Sequence, residues 1–141
     1  MERINLDKDL RIMCVTARSF PDGIQDAFME LEKRAGNAIC DRPFFGLSHP
    51  NREGTILYRA GVLVEEEGEA ERFGFDLIVL PKGEYLTKMI LDWKKKVSLI
   101  GQTFQKLIHH PDLDPEAFCI EWYKGENDVL CMVKAKEEKW A

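Results

Sequence analysis

The chain contains 141 residues, of which 45% are hydrophobic and 32% charged, which is enough apolar material for one domain with a sizeable core. Its formal net charge of -5 leaves no basic excess to neutralise phosphates, so direct nucleic-acid binding is disfavoured. Charges run through the first ten residues and no apolar run reaches the ~18 residues of a membrane span, so we expect a cytoplasmic protein without membrane association.

The first half of the chain predicts a strand, a helix and two further strands. Residues 10–20 alternate imperfectly and are rich in β-forming side chains, and a Pro-Asp-Gly turn ends them. Asp22 of that turn can cap a helix over residues 24–35, where apolar side chains recur at helical spacing up to a Gly-Asn stop. Segments 43–51 and 55–66 then predict two strands joined by a turn.

The second half predicts the same order after an acidic stretch. Residues 65–74 combine many like charges with no apolar periodicity, which indicates a solvated hairpin tip or linker. Residues 75–93 predict β-structure broken at a Pro-Lys-Gly turn, and residues 97–110 predict a helix. Residues 118–136 predict two strands around a polar turn.

Matching registers indicate an internal duplication. The two helices share an Ile-x-x-x-Phe-x-x-Leu pattern that begins at Ile24 and Ile100, 76 residues apart, and the strands match with a shift of 74. We therefore predict an α+β fold of duplicated β-α-β-β units with pseudo-twofold symmetry, antiparallel sheets and two main helices. The whole chain would form one domain of two repeats, about 10–67 and 75–137, with a central ligand cleft where they join.

One position breaks the proposed symmetry. At a shift of 74, Leu47 corresponds to Glu121 in the segment CIEWY. Strand alternation places Glu121 on one face with Cys119 and Tyr123, and Trp122 on the other. An unpaired carboxylate in apolar surroundings is costly, so a buried Glu121 would require a cationic or hydrogen-bonding partner.

Aromatic side chains are candidates for the walls of such a pocket, because they stack on flat molecules and attract cations. The alternative for Glu121 is an exposed position on a solvated strand face, and the alternative for each aromatic residue is a place in the core. The predicted ligand-binding set is Glu121, Tyr123, Phe45, Tyr58, Tyr85, Trp93 and Trp122.

No cofactor or metal site is indicated. Cys14, Cys40, Cys119 and Cys131 are too far apart in sequence for a Cys-x-x-Cys motif, and we expect reduced cysteines in the core. A Cys119–Cys131 disulfide across a hairpin stays open, although the absence of a secretion signal argues against it. The three histidines lack the spacing of zinc ligands and are expected at the surface.

Five segments, FPDGIQDAFMELEK, PFFGLSHP, LPKGEYL, IGQTFQKLI and FCIEWY, resemble those of GyrI-like small-molecule-binding domains. Such domains also form the effector-binding portion of some AraC-type and MerR-type bacterial transcription regulators. The resemblance covers about residues 11–136, and it implies that Glu121 is the pocket glutamate that the family carries on its late strand. The Gly-Pro-Tyr that often precedes the family's helices is absent from both halves, so the pocket shape and ligand are expected to differ.

The resemblance implies a stand-alone bacterial module that senses or sequesters an aromatic or cationic drug-like ligand in transcription regulation or resistance. The chain contains no helix-turn-helix, so regulation would act through a protein partner, and a homodimer is also open. Two alternatives remain: a hydrolase of reactive aromatic natural products that uses Glu121, and a protein-interaction module such as a topoisomerase inhibitor. The sequence leans away from catalysis, because it shows no nucleophile elbow, phosphate loop or Cys-His arrangement.

Overall fold

The computed structural model describes residues 2–50 and 53–137. The chain divides into two units, one formed by Leu10–Leu80 and the other by the chain up to Asp9 together with the chain from Pro81 onward. None of the helices in this described part is long and apolar enough to cross a lipid bilayer. The strands are β1 (Glu2–Leu6), β2 (Leu10–Thr16), β3 (Phe44–Pro50), β4 (Ile56–Leu63), β5 (Asp76–Leu80), β6 (Gly83–Ile90), β7 (Cys119–Lys124) and β8 (Asp128–Lys134). The α-helices are α1 (Ile24–Ala35), α2 (Glu69–Phe73) and α3 (Val97–Leu107). A short 3-10 turn at Gly36–Ile39 follows α1, and another at Trp93–Lys95 precedes α3.

The Leu10–Leu80 unit is an antiparallel sheet in the order β3-β4-β2-β5, covered on one face by α1. The apolar stripe of α1 buries Ala27, Leu31 and Ala35. These side chains form a core cluster with residues of β2 and β4, such as Met13 and Val62. The apolar side chains that recur at helical spacing in α1 and at strand spacing in β2 and β4 thus pack together in one layer.

The ends of α1 follow the sequence only in part. Gly36 ends the helix with φ of +56°, in a region that favours glycine, as the predicted stop requires. The predicted cap at Asp22 is wrong, because the helix is capped by Gly23 and no side chain bonds the free amides. Asn51, in the predicted turn between β3 and β4, lies outside the described residues.

The second unit is an antiparallel sheet in the order β1-β6-β8-β7, covered on one face by α3. Phe104 and Leu107 of α3 pack with Leu86 of β6 and with Val129 and Val133 of β8. Because β7 and β8 form a hairpin, the side chains of β7 that face α3 are those in line with Val129, Cys131 and Val133.

The two units repeat one plan, and their outer strands are exchanged. β1 precedes β2 along the chain but pairs with β6, while β5 precedes β6 but pairs with β2. The predicted α+β class, with antiparallel sheets and two main helices, is confirmed. β1 was not predicted. Its apolar residues Ile4 and Leu6 alternate towards the interior, but the charged residues beside them obscure this pattern in the sequence. Common descent of the repeats 10–67 and 75–137 stays a prediction.

The acidic stretch is the main correction to the sequence analysis. It forms α2 rather than a solvated tip, and Glu69 within it is only 1% exposed. Both carboxylate oxygens of Glu69 accept hydrogen bonds of 2.7 Å from the Arg42 guanidinium. The backbone N–H groups of Glu65 and Glu66 donate to the same carboxylate at 2.8 and 2.9 Å. The hydrogen bond from Arg42, with help from those amides, lowers the pKa of Glu69 to about 2.

We expect Glu69→Gln to lower the free energy of unfolding at pH 7 by about 3 kcal/mol, because it removes the carboxylate that binds the buried Arg42 side chain with both oxygens and leaves the longer 3.5 Å ion pair with Glu65. Urea denaturation measures the difference, and Glu67→Gln, an exposed neighbour, should change it by less than about 0.5 kcal/mol. The gap between wild type and Glu69→Gln should close as pH falls from about 4.5 towards 2, since a lowered pKa stabilises the fold only where the carboxylate is ionised. Equal unfolding midpoints for the two variants would contradict this assignment.

Candidate functional site

Glu121 lies on the side of β7 that faces α3. Its strand neighbours Cys119 and Tyr123 both pack against the apolar cluster that α3 forms with β6 and β8. Glu121 lies between them, and Cys131 is directly opposite it on β8. Ile120 and Trp122 point to the other face, so the alternation predicted from the sequence is confirmed. The carboxylate therefore enters an apolar layer at the position where a core side chain would normally stand.

The Tyr123 hydroxyl is the hydrogen-bond partner of one oxygen of this carboxylate. It donates a hydrogen bond to Oε1 of Glu121, two residues earlier on the same strand face. Burial raises the pKa of the Glu121 carboxyl above its ordinary value, and the hydrogen bond from Tyr123 offsets the rise only in part. No lysine, arginine or histidine within residues 2–50 and 53–137 forms an ion pair with Glu121.

Trp93 supports Tyr123 from the side. Its ring centroid lies 5.4 Å from that of Tyr123, with the planes inclined by 53°. The turn that carries Trp93 is tied to the β7–β8 hairpin, since its backbone N–H donates to the Asn127 carbonyl at 3.0 Å. Asp92 before it has φ of +52°, unusual for a non-glycine residue, and its N–H donates to the Asp128 carboxylate at 3.2 Å. Trp93, Tyr123 and Glu121 thus form one connected group.

Two thiols complete the surroundings of Glu121. Burial and the nearby Glu121 charge raise the pKa of Cys131 to about 12 and that of Cys119 to about 11. Both stay as neutral thiols at physiological pH, and all four cysteines, Cys14 and Cys40 included, are free of disulfides. The expectation of core cysteines holds for the buried Cys14 and Cys131, whereas Cys119 is partly buried and Cys40 is exposed. The neighbours of the carboxylate are therefore weakly polar and uncharged.

The other predicted aromatic residues do not join this group within its unit. Trp122 lies on the opposite face of β7, where the Lys124 Nζ sits 3.4 Å from its ring centre. Tyr85 is fully buried on the face of β6 away from α3, and its hydroxyl donates to the Pro81 carbonyl at 2.7 Å. Their place in a ligand site stays a prediction.

Phe45 and Tyr58 belong to the Leu10–Leu80 unit. Tyr58 faces α1 and stacks on Phe20, with ring centroids 5.9 Å apart, and Phe28 meets it edge-on. Phe45 is fully buried on the face of β3 that points away from α1. Tyr58 thus packs within its own unit, and a role in ligand binding stays a prediction for both residues.

The proposed equivalence of Leu47 and Glu121 does not hold in the sheets. Leu47 pairs with Arg59, whereas Ala60 and Val62 of β4 face α1, so Leu47 points away from the main helix of its unit. Glu121 points towards the main helix of its own unit. Shifting a strand by one residue reverses the face of every side chain. The sequence match at a shift of 74 therefore differs from the structural register by an odd number of residues.

No family model matches the chain, and no curated protein matches it significantly. Solved structures do share its fold. The structure of SAV2435 bound to tetraphenylphosphonium is 16% identical, with a TM-score of 0.63 over 94% of this chain and 93% of that one. A hydrolase from Listeria innocua is 12% identical, with a TM-score of 0.55 over 96% and 90% of the two chains. A protein from Staphylococcus aureus MU50, named for bacterial transcription regulation, is 14% identical, with a TM-score of 0.57 over 96% and 97%. At these identities, the likeness establishes a common fold.

Proposed function

We propose that the chain is a GyrI-like domain that binds a cationic aromatic molecule, with Glu121 as the partner of the positive charge. The observation that carries the proposal is the Glu121 carboxylate, which is half-buried in the layer between α3 and its sheet, bonded to the Tyr123 hydroxyl, and paired with no cation among the described residues. The shared fold with SAV2435, solved with tetraphenylphosphonium, supports this class of ligand.

The physical chemistry favours a large cation with spread charge. A compact ammonium ion would lose strong hydration on entering an apolar layer, whereas an aryl-substituted cation loses little. Such a cation supplies the counter-charge that Glu121 lacks, and its rings can pack on the half-buried Trp93 and Tyr123. Each aromatic contact with a cation contributes ~0.5 to 2 kcal/mol.

The proposal extends to the wider prediction from the sequence. The whole chain would be one such domain, acting in the cytoplasm to sense or sequester its ligand, with any regulatory signal passed to a protein partner. Phe45, Tyr58, Tyr85 and Trp122 remain proposed wall residues. Phe45 and Tyr85 are 0% exposed, so they could reach a ligand only after the chain opened around them.

A hydrolase is the second candidate, favoured by the hydrogen bond between Tyr123 and Glu121 and by the fold shared with the Listeria innocua hydrolase. A carboxylate with a raised pKa can take a proton from water while the bonded phenol positions an electrophile. Turnover of an electrophilic aromatic compound that stops in Glu121→Gln would support catalysis. Binding without turnover would support the binding module instead.

We expect tetraphenylphosphonium to bind the wild-type protein and to quench tryptophan fluorescence, since Trp93 borders the site. Ligand at 100 times its Kd should raise the free energy of unfolding by about 2.7 kcal/mol. Glu121→Gln should raise the Kd at least about tenfold, because the desolvated cation loses its counter-charge. Glu116→Gln, an exposed acid of the same unit, is the matched control and should bind like wild type.

The ligand offers a control of its own. Tetraphenylborate has the same shape and the opposite charge, so it should not compete with tetraphenylphosphonium for wild-type protein. Equal binding of both ions, or unchanged affinity in Glu121→Gln, would contradict the role of Glu121.

A second expectation concerns the free protein. Because burial raises the pKa of Glu121, its contribution to stability is complete below about 4.5 and is lost as pH rises through the raised pKa. Glu121→Gln removes this loss, so the variant should be more stable than wild type at pH 7 and the difference should shrink as pH falls to about 4.5. Thermal unfolding at a series of pH values measures it, and a destabilised Glu121→Gln at pH 7 would show that the charge has a partner that stabilises it.

A further inference from the structure

β5 is an edge strand without the usual protection. Among the described residues it pairs with β2 on one side and with no strand on the other. Its sequence, DLIVL, has one charge at its first residue and contains no lysine, proline or bulge. Leu77 and Val79 on its α1-side face are 42% and 46% exposed. An apolar edge of this kind pairs readily with another strand.

The outer strand of the other unit shows the contrast. β1 also pairs on one side only within the described part, but it carries Glu2 and Arg3 in exposed positions. Arg3 forms ion pairs with Glu84 and Asp112, which hold charge along that edge. The chain therefore protects one edge strand with charges and leaves its counterpart apolar.

A depression of about 320 Å³ lies beside β5, in the unit that does not contain Glu121. Its lining includes the apolar side chains of Val64, Phe75 and Leu77, and also Arg11 and Glu71. Arg11 and Glu71 are exposed and, within the part of the chain that the structure describes, neither forms an ion pair. The surface thus combines exposed apolar side chains with one free charge of each sign.

We propose that β5 pairs antiparallel with β5 of a second copy of this chain, around a twofold axis near Ile78. In that register Leu77 of one copy stands opposite Val79 of the other. Within each copy Met13 neighbours Leu77 and Arg11 neighbours Val79, so the row across the axis begins with the apolar Met13, Leu77 and Val79 and ends at Arg11. Arg11 of one copy and Leu77 of the other are two strand spacings apart, about 9.6 Å, which is within the combined side-chain reach of Arg11 and of Glu71 beside Leu77.

Charge complementarity is what selects a second copy as the occupant. The twofold axis forms the Arg11–Glu71 contact twice, so both charges that lack a partner in the monomer gain one. Because the twofold axis pairs β5 of one copy with β5 of the other, the contact uses the same strand of both chains and closes at two. A discrete dimer is the expected species rather than an open polymer.

Sedimentation equilibrium of the full chain tests the proposal. Wild-type protein should show twice the monomer mass, and Val79→Lys should raise the dimer Kd at least about tenfold by placing a charge on the edge. Val97→Lys is the matched control, because Val97 is a 60% exposed apolar residue on α3. It should associate like wild type.

Charge reversal makes the test specific to the proposed geometry. Arg11→Glu and Glu71→Arg should each weaken the dimer, and the double variant should restore it, because the pair re-forms with its signs exchanged. Circular dichroism checks that these exposed substitutions leave the fold intact. A wild-type monomer at ~100 μM, assembly beyond a dimer, equal effects of Val79→Lys and Val97→Lys, or a double reversal that fails to restore association would each overturn the proposal.

Discussion

The hydrogen bond from Tyr123 to Glu121 is the interaction on which the proposed site depends. It keeps a carboxylate in an apolar layer between α3 and its sheet, where desolvation raises the carboxyl pKa and where, among the described residues, a hydroxyl is its hydrogen-bond donor. Trp93 packs on Tyr123, and its backbone N–H is hydrogen-bonded to the β7–β8 hairpin. The position of the Tyr123 hydroxyl thus depends on the hairpin and on the turn that carries Trp93. A site that holds its charge incompletely satisfied is prepared for a ligand of opposite charge.

A second glutamate, which is fully buried, has a carboxylate whose charge is balanced by several hydrogen-bond donors. Glu69 accepts a bidentate pair of hydrogen bonds from Arg42 and two further hydrogen bonds from backbone amides. Its pKa is lowered to about 2. Glu121 has one neutral donor, and its pKa rises. The same residue type thus has a structural role where its charge is balanced and, in our proposal, a binding role where it is not.

Much of the local structure was predictable because it depends on neighbours in sequence. The periodicity of α1 and α3 and the alternation of β7 follow from residue spacing alone, so the faces of Glu121, Tyr123 and Trp122 were assigned correctly. The acidic stretch was misjudged for the opposite reason. Glu69 differs from Glu67 chiefly through Arg42, a partner 27 residues away that no local pattern reveals.

The sequence by itself determined the α+β class, the order of strands β2 to β8 and of the two main helices, and which side chains of a strand or helix share a face, because these follow from side-chain periodicity. Only the tertiary structure decided that β1 and β5 exchange units, that Leu47 and Glu121 face opposite ways relative to their main helices, and that Trp93 reaches Tyr123. These features depend on pairing between distant segments. One residue of register or one distant hydrogen bond changes the outcome there, while the local pattern stays the same.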